Sequence, residues 1–164
     1  MITPADCLKK YGSPVDDVAT TVNENTVFER GWMILWTLPE ALHSVIPALP
    51  KSIYCNKDLV APLYVALQNI SDRKLGGEIK TWDGCFNIRK QRGATSQSIH
   101  SWACALDINA AWNQLGKQPT MSKELVACFT DAGFDWGGNW KRLDGMHFQL
   151  SKLPNDGTDN RVVV

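Results

Sequence analysis

The sequence predicts a small α+β domain, and three observations carry that expectation. The chain has 164 residues, a length that suits one hydrophobic core and leaves no linker between two. Its composition is that of an ordinary globular protein, 44% hydrophobic and 21% charged, so a sizeable core can be buried. Segments with helix and strand periodicity both occur, but they do not alternate in the regular way that a doubly wound parallel sheet demands. Residues 1–164 are therefore read as a single domain.

Taken in order, Thr3-Pro4 ahead of Ala5-Asp6-Cys7-Leu8 reads as a capped helix start, and Gly12 ends that helix. Residues 13–31 are polar and turn-rich with weak strand signals. Trp32 to Leu38 is an apolar run of strand length. Pro39, Pro47 and Pro50 punctuate a loop that holds a short helical turn. From about 57 to 72, Leu59, Val60, Leu63, Leu67 and Ile70 recur at i, i+3/i+4 spacing, which predicts an amphipathic helix. Gly76-Gly77 breaks it, and residues 78–82 alternate as a strand does. Residues 89–98 are expected to form a loop, and 104–109 a buried strand. Ser122 to Ala132 reads as a helix opened by its serine and closed by Gly133. Gly137-Gly138 marks a turn, and 146–150 a further strand. The tail beyond Pro154 is polar before three valines.

Charge excludes some functions. Lys plus Arg and Asp plus Glu both number 17, for a formal net charge of zero. Such balance speaks against nucleic acid as a partner, because that role calls for a basic face. No segment approaches the roughly 18 consecutive apolar residues of a membrane span, so stable membrane association is not expected, and a monomer is. The first residues lack the charged and apolar regions of a signal peptide, which predicts synthesis in the cytoplasm without an export address. The five cysteines (Cys7, Cys55, Cys85, Cys104 and Cys128) are odd in number, widely spaced and without a Cys-x-x-Cys pair. They are read as buried reduced thiols, Cys104 among them.

Chemistry concentrates around two of the three histidines. His100 and Asp107 lie seven residues apart, and Asp144-Gly145-Met146-His147 sets a carboxylate three residues before a histidine. Two imidazoles and one carboxylate make a donor set suited to catalytic zinc, which leaves its fourth position open. A further carboxylate can take a proton from the attacking water and return it to the leaving amine. His43, in the proline-rich loop, has no such company. Trp102, Trp136 and Trp140 are candidates either for the core or for a substrate groove.

These segments resemble the zinc peptidases of the VanY and VanX D,D-peptidase type and the phage L-alanyl-D-glutamate endopeptidases. That family carries Ser-x-His-x-x-Gly-x-Ala-x-Asp followed by Asp/Glu-x-x-His. Here the motifs read Ser98-x-His100-x-x-Ala103-x-Ala105-x-Asp107 and Asp144-x-x-His147. The likeness runs over about 79–150, with Gly84 to Arg89 and Gly133 to Trp140 adding to it. Ala103 departs from the family glycine. If the backbone there needs positive φ, alanine costs on the order of 1 kcal/mol.

The resemblance implies a central antiparallel sheet flanked by helices, with the site in a groove across it. It implies zinc held by His100, Asp107 and His147, with Asp144 as general base and then acid. Arg89 would stabilise the oxyanion, with Arg92 as its rival, while Ser98 and Trp140 would contact substrate. The implied substrate is the peptidoglycan stem peptide, cut by a phage endolysin that reaches the wall once a holin opens the membrane. A D,D- or L,D-carboxypeptidase and a non-catalytic zinc-stabilised wall-binding module are the alternatives. Residues 1–55 are left as either a rim of the groove or a completion of the core.

Overall fold

The computed structural model describes residues 1–15, 25–91, 93 and 95–155. The middle of the polar stretch 13–31, Arg92 and the valine-ended tail lie outside the described residues. The helices are α1 (Pro4–Tyr11), α2 (Val27–Trp32), α3 (Glu40–Val45), α4 (Lys57–Asp72) and α5 (Lys123–Thr130). The strands are β1 (Met33–Thr37), β2 (Ser52–Asn56), β3 (Trp82–Gly84), β4 (Ala105–Ile108), β5 (Phe134–Trp136) and β6 (His147–Leu150). β1 and β2 form an antiparallel pair, and a second antiparallel sheet runs β3-β4-β6-β5. The fold is α+β, as the sequence predicts. Among the described residues no helix is long and apolar enough to cross a membrane.

Local chemistry explains most boundaries. The Thr3 hydroxyl accepts from the Asp6 N–H, and the Asp6 carboxylate accepts from the Thr3 N–H. This reciprocal cap starts α1, and Gly12 at φ 78° ends it. Asn56 opens α4 by accepting from the Asp58 N–H. The apolar stripe of α4 is buried at Leu59, Val60, Leu63, Ala66, Leu67 and Ile70 and packs against α5. All five cysteines are free and buried, as expected of packing thiols.

Two sequence expectations need correction, and two strands are found where the sequence raised no expectation. Val27–Trp32 is helical, because Thr26 and Glu29 form a second reciprocal cap that outweighs the local turn signals. Ser52–Asn56 is a strand, recruited by pairing Thr37 with Ser52 and Met33 with Asn56. Phe134–Trp136 is a strand only because β6 lies beside it, since three residues are too few to show a period. The strand expected at 78–82 begins only at Trp82. Upstream of it, Asn109 takes the place of a ladder partner: its Oδ1 accepts from the Lys80 and Thr81 N–H groups, and its Nδ2 donates to the Glu78 carbonyl.

The four-stranded sheet has two different faces. Side chains alternate along a strand, so Phe148 and Leu150 of β6 turn into the core, where Phe148 stacks on Phe129 of α5 at 4.3 Å. His147 and Gln149 take the opposite face. On β4, Leu106 and Ile108 are buried, while Ala105 and Asp107 pair with Gln149 and His147. Asn109 pins the end of β4, at a left-handed φ of 53°. Asn109→Ala strips two backbone N–H groups of their acceptor, so it should lower unfolding stability by about 2–4 kcal/mol. Urea denaturation checks this, and Asn109→Asp, which keeps the acceptor, should lose less.

Candidate metal centre

Strand register makes the site. Asp107 on β4 sits directly opposite His147 on β6, and facing residues on one side of such a pair hold their Cβ atoms about 4.5–5.5 Å apart. His100 arrives from a 3-10 turn, Ile99–Trp102, capped by the Ser98 hydroxyl, which accepts from the His100 N–H. The chain then turns sharply into β4 through Ala103, at φ 50° and ψ 35°. This is the positive φ anticipated for position 103, a conformation that glycine adopts freely. This chain carries alanine at the cost anticipated above, with the methyl fully buried.

The three side chains converge. His100 Nε2 lies 3.1 Å from His147 Nδ1, His147 Nδ1 3.2 Å from Asp107 Oδ1, and His100 Nε2 3.3 Å from Asp107 Oδ1. These are the atoms that meet the geometric requirement for holding a metal ion. A tetrahedral zinc ion with bonds of about 2.0–2.1 Å separates its ligand atoms by about 3.3–3.4 Å, so the triangle fits. The outer partners agree. The remaining ring nitrogen of His100, Nδ1, faces the Cys85 carbonyl at 3.1 Å, and that of His147, Nε2, faces the Gln149 amide oxygen at 3.1 Å. Both partners are acceptors, so each ring places a proton outward and turns a lone pair inward. Two lone pairs and a carboxylate facing one another call for a cation between them. Burial works against ionisation of Asp107, but wherever the rings carry a second, inward proton as imidazolium, hydrogen bonds and charge from His100 and His147 outweigh it. The carboxyl is held well below the usual carboxylate range.

Around the triad runs a cleft of about 410 Å³. It is lined by Asp107 and His147 and also by Arg89, Ser98, Trp140 and Asp144. The structure thus brings Arg89, Ser98, Trp140 and Asp144 to the same cleft as Asp107 and His147. Asp144 is half-buried and held by its backbone: its N–H donates to the Gly137 carbonyl at 2.9 Å, and its carbonyl accepts from the His147 N–H. A Cβ on Gly137 would fall 2.5 Å from the Asp144 carbonyl oxygen, so only glycine permits this approach. The Trp140 N–H donates to the same Gly137 carbonyl, and the Trp140 ring lies 5.2 Å from that of His147. Arg89 is fixed through its main chain, whose carbonyl accepts from the Ser98 N–H and the Ser101 hydroxyl.

The other two tryptophans belong elsewhere. Trp102 is buried in the core with its Nε1 on the Gly12 carbonyl, and Trp136 packs on Phe148. Residues 1–4 line the cleft, whereas β1 and β2 build their own sheet. Sequence reasoning missed Arg142, Gln91 and Gln149 on the cleft wall. Of these, only Gln149 had a readable signal, its place two residues beyond His147 on a strand.

Residues 92–150 match a family model described as D-alanyl-D-alanine carboxypeptidase. The matched segment contains His100, Asp107, Asp144 and His147, and it begins after Arg89. Over this stretch the chain is similar to that peptidase family, which supports a hydrolase of the peptidase kind. No curated protein and no solved structure gives a significant match.

Zinc should bind the purified protein at one equivalent and raise its Tm, and a chelator should reverse the shift. His100→Ala, Asp107→Ala and His147→Ala should each abolish the zinc-dependent part, read by thermal unfolding with metal analysis. In metal-free protein, the low-lying Asp107 carboxyl contributes stability that is present above about pH 4 and lost as the pH falls. Asp107→Asn should therefore flatten the acid side of the stability profile.

Proposed function

We propose that this chain is a zinc peptidase of one domain, residues 1–164, that hydrolyses an amide bond in the peptidoglycan stem peptide. The single observation that carries the reading is Asp144, a carboxylate on the wall of the cleft into which the His100, Asp107 and His147 donors converge. A purely structural metal site has no use for such a base. When bound, zinc supplies Lewis acidity to a hydrolytic water and to the scissile carbonyl. Asp144 takes the proton of that water and hands it to the departing amine. The Arg89 guanidinium, on the same cleft wall, stabilises the developing oxyanion. Trp140 offers a flat apolar surface beside His147 for substrate, and Ser98 holds the turn that carries His100.

Within this class we assign the chain to the phage endolysins, acting as an L-alanyl-D-glutamate endopeptidase. It would work as a monomer, made in the host cytoplasm and reaching the wall after a holin opens the membrane. The motif spacing supports that assignment. A second reading, a carboxypeptidase that removes a terminal D-alanine, is favoured by the description of the matching family.

The test is release of new amines and soluble fragments from purified peptidoglycan, with zinc content measured in parallel. Asp144→Ala should keep its zinc and lose about 10²–10⁴-fold in rate. Arg89→Ala should lose about 10²–10³-fold in kcat. Zinc-loaded wild type without any release would leave the non-catalytic wall-binding module standing instead. Mass analysis of the fragments identifies the bond. Amidation of the terminal carboxylate should abolish cleavage by a carboxypeptidase and spare that by an endopeptidase.

A further inference from the structure

We propose that Gln149 is a positioning residue that keeps His147 in the protonation form a metal ligand needs, and that the segment ahead of α1 takes part through the Ile2 carbonyl. The inference rests on the metal-site reading given above and adds to it a device built from two residues outside the ligand set.

Gln149 is 3% exposed and shares the cleft face of β6 with His147. One end of its amide lies 3.0 Å from the Ile2 carbonyl oxygen. A carbonyl can only accept, so the NH₂ group must stand at that end. The amide oxygen is thereby turned toward His147 Nε2, 3.1 Å away, and accepts its N–H. With Nε2 protonated, Nδ1 presents its lone pair toward His100 Nε2 and Asp107 Oδ1.

A competing arrangement exists. Asp107 Oδ1 is also an acceptor, 3.2 Å from His147 Nδ1. A proton moved to Nδ1 would satisfy that carboxylate and remove the lone pair a metal requires. It would also leave Nε2 facing the Gln149 oxygen as two buried acceptors, which is costly. Gln149 holds this balance only while its own amide cannot rotate, and the Ile2 carbonyl prevents that rotation. The N-terminal segment thus reaches the metal centre through a chain of hydrogen bonds, from Ile2 through Gln149 to His147.

The experiment compares wild type, Gln149→Leu, Gln149→Glu and a chain lacking Met1 and Ile2. In each, long-range ¹H–¹⁵N correlation on metal-free protein at about pH 8, where imidazole is ordinarily neutral, reads which nitrogen of His147 is protonated. Zinc affinity is then measured by competition with a chromophoric chelator, and folding by urea denaturation. Wild type should show a proton on Nε2. Gln149→Leu should move His147 toward the Nδ1–H form and weaken zinc binding by about 10–100-fold. Gln149→Glu, which keeps an acceptor toward Nε2, should retain the Nε2 proton and recover most of the affinity. Loss of Met1 and Ile2 should shift both readouts in the same direction as Gln149→Leu, by a smaller amount, and tests the link if Gln149→Leu does not fold. A wild-type Nε2 without a proton overturns the proposal. So do folded variants with altered stability but an unchanged His147 protonation pattern, which would mark Gln149 as packing alone. Wild type that binds no zinc would overturn the metal reading instead, while the His147 spectra still decide the role of Gln149.

Discussion

The pairing of β4 with β6 sets the faces of both strands at once. Leu106 and Ile108 from one strand, and Phe148 and Leu150 from the other, must enter the core, where Phe148 meets Phe129 of α5. With a period of two, that requirement forces Asp107, His147 and Gln149 out onto the cleft side. A slip of one residue would bury the ligands and expose the phenylalanine. The apolar core and the polar centre are therefore two consequences of one register, and hydrophobic burial on one face holds the donor atoms on the other.

Electrostatics then sets the character of the centre. Two imidazole nitrogens and a carboxylate oxygen stand within 3.3 Å of one another, while the outer nitrogens of both rings point at acceptors, Cys85 O and Gln149 Oε1. In a largely buried site such an arrangement is unfavourable for a neutral protein alone and favourable around a cation. The backbone contributes as much as the side chains. Ala103 accepts a left-handed conformation to aim His100, and Gly137 gives up its side chain so that the loop bearing Asp144 and Trp140 can close against it. Both features place strain or bare backbone beside the site, where a tightly packed neighbourhood holds them in position.

The cleft is assembled from distant parts of the chain. Its floor comes from β4 and β6, one wall from the loop that carries Arg89, another from the turn around Asp144, and its rim from residues 1–4. The position of that rim accounts for a reciprocal cap on a helix as short as α1: Thr3 and Asp6 fix the first turn, and Ile2 just before it meets Gln149.

Local sequence by itself determined the helices with strong periodicity or capping, namely α1, α4 and α5. It also singled out His100, Asp107 and His147 as candidate donors, which the structure brings together, because their type and spacing are written in the motifs. α2 was not read from the sequence, because the polar surroundings of Thr26 and Glu29 masked their reciprocal cap. What only the tertiary structure decided are the features that depend on a partner far along the chain. β2, β5 and the late start of β3 follow from neighbouring strands and from Asn109, since short segments carry too few residues for a period to show. The conformation of Ala103, the approach of Gly137 to Asp144, and the link from Ile2 through Gln149 to His147 likewise have no local signature. Backbone angles, close contacts and side-chain hydrogen bonds are fixed by packing, and packing brings together residues that the sequence keeps as many as 147 positions apart.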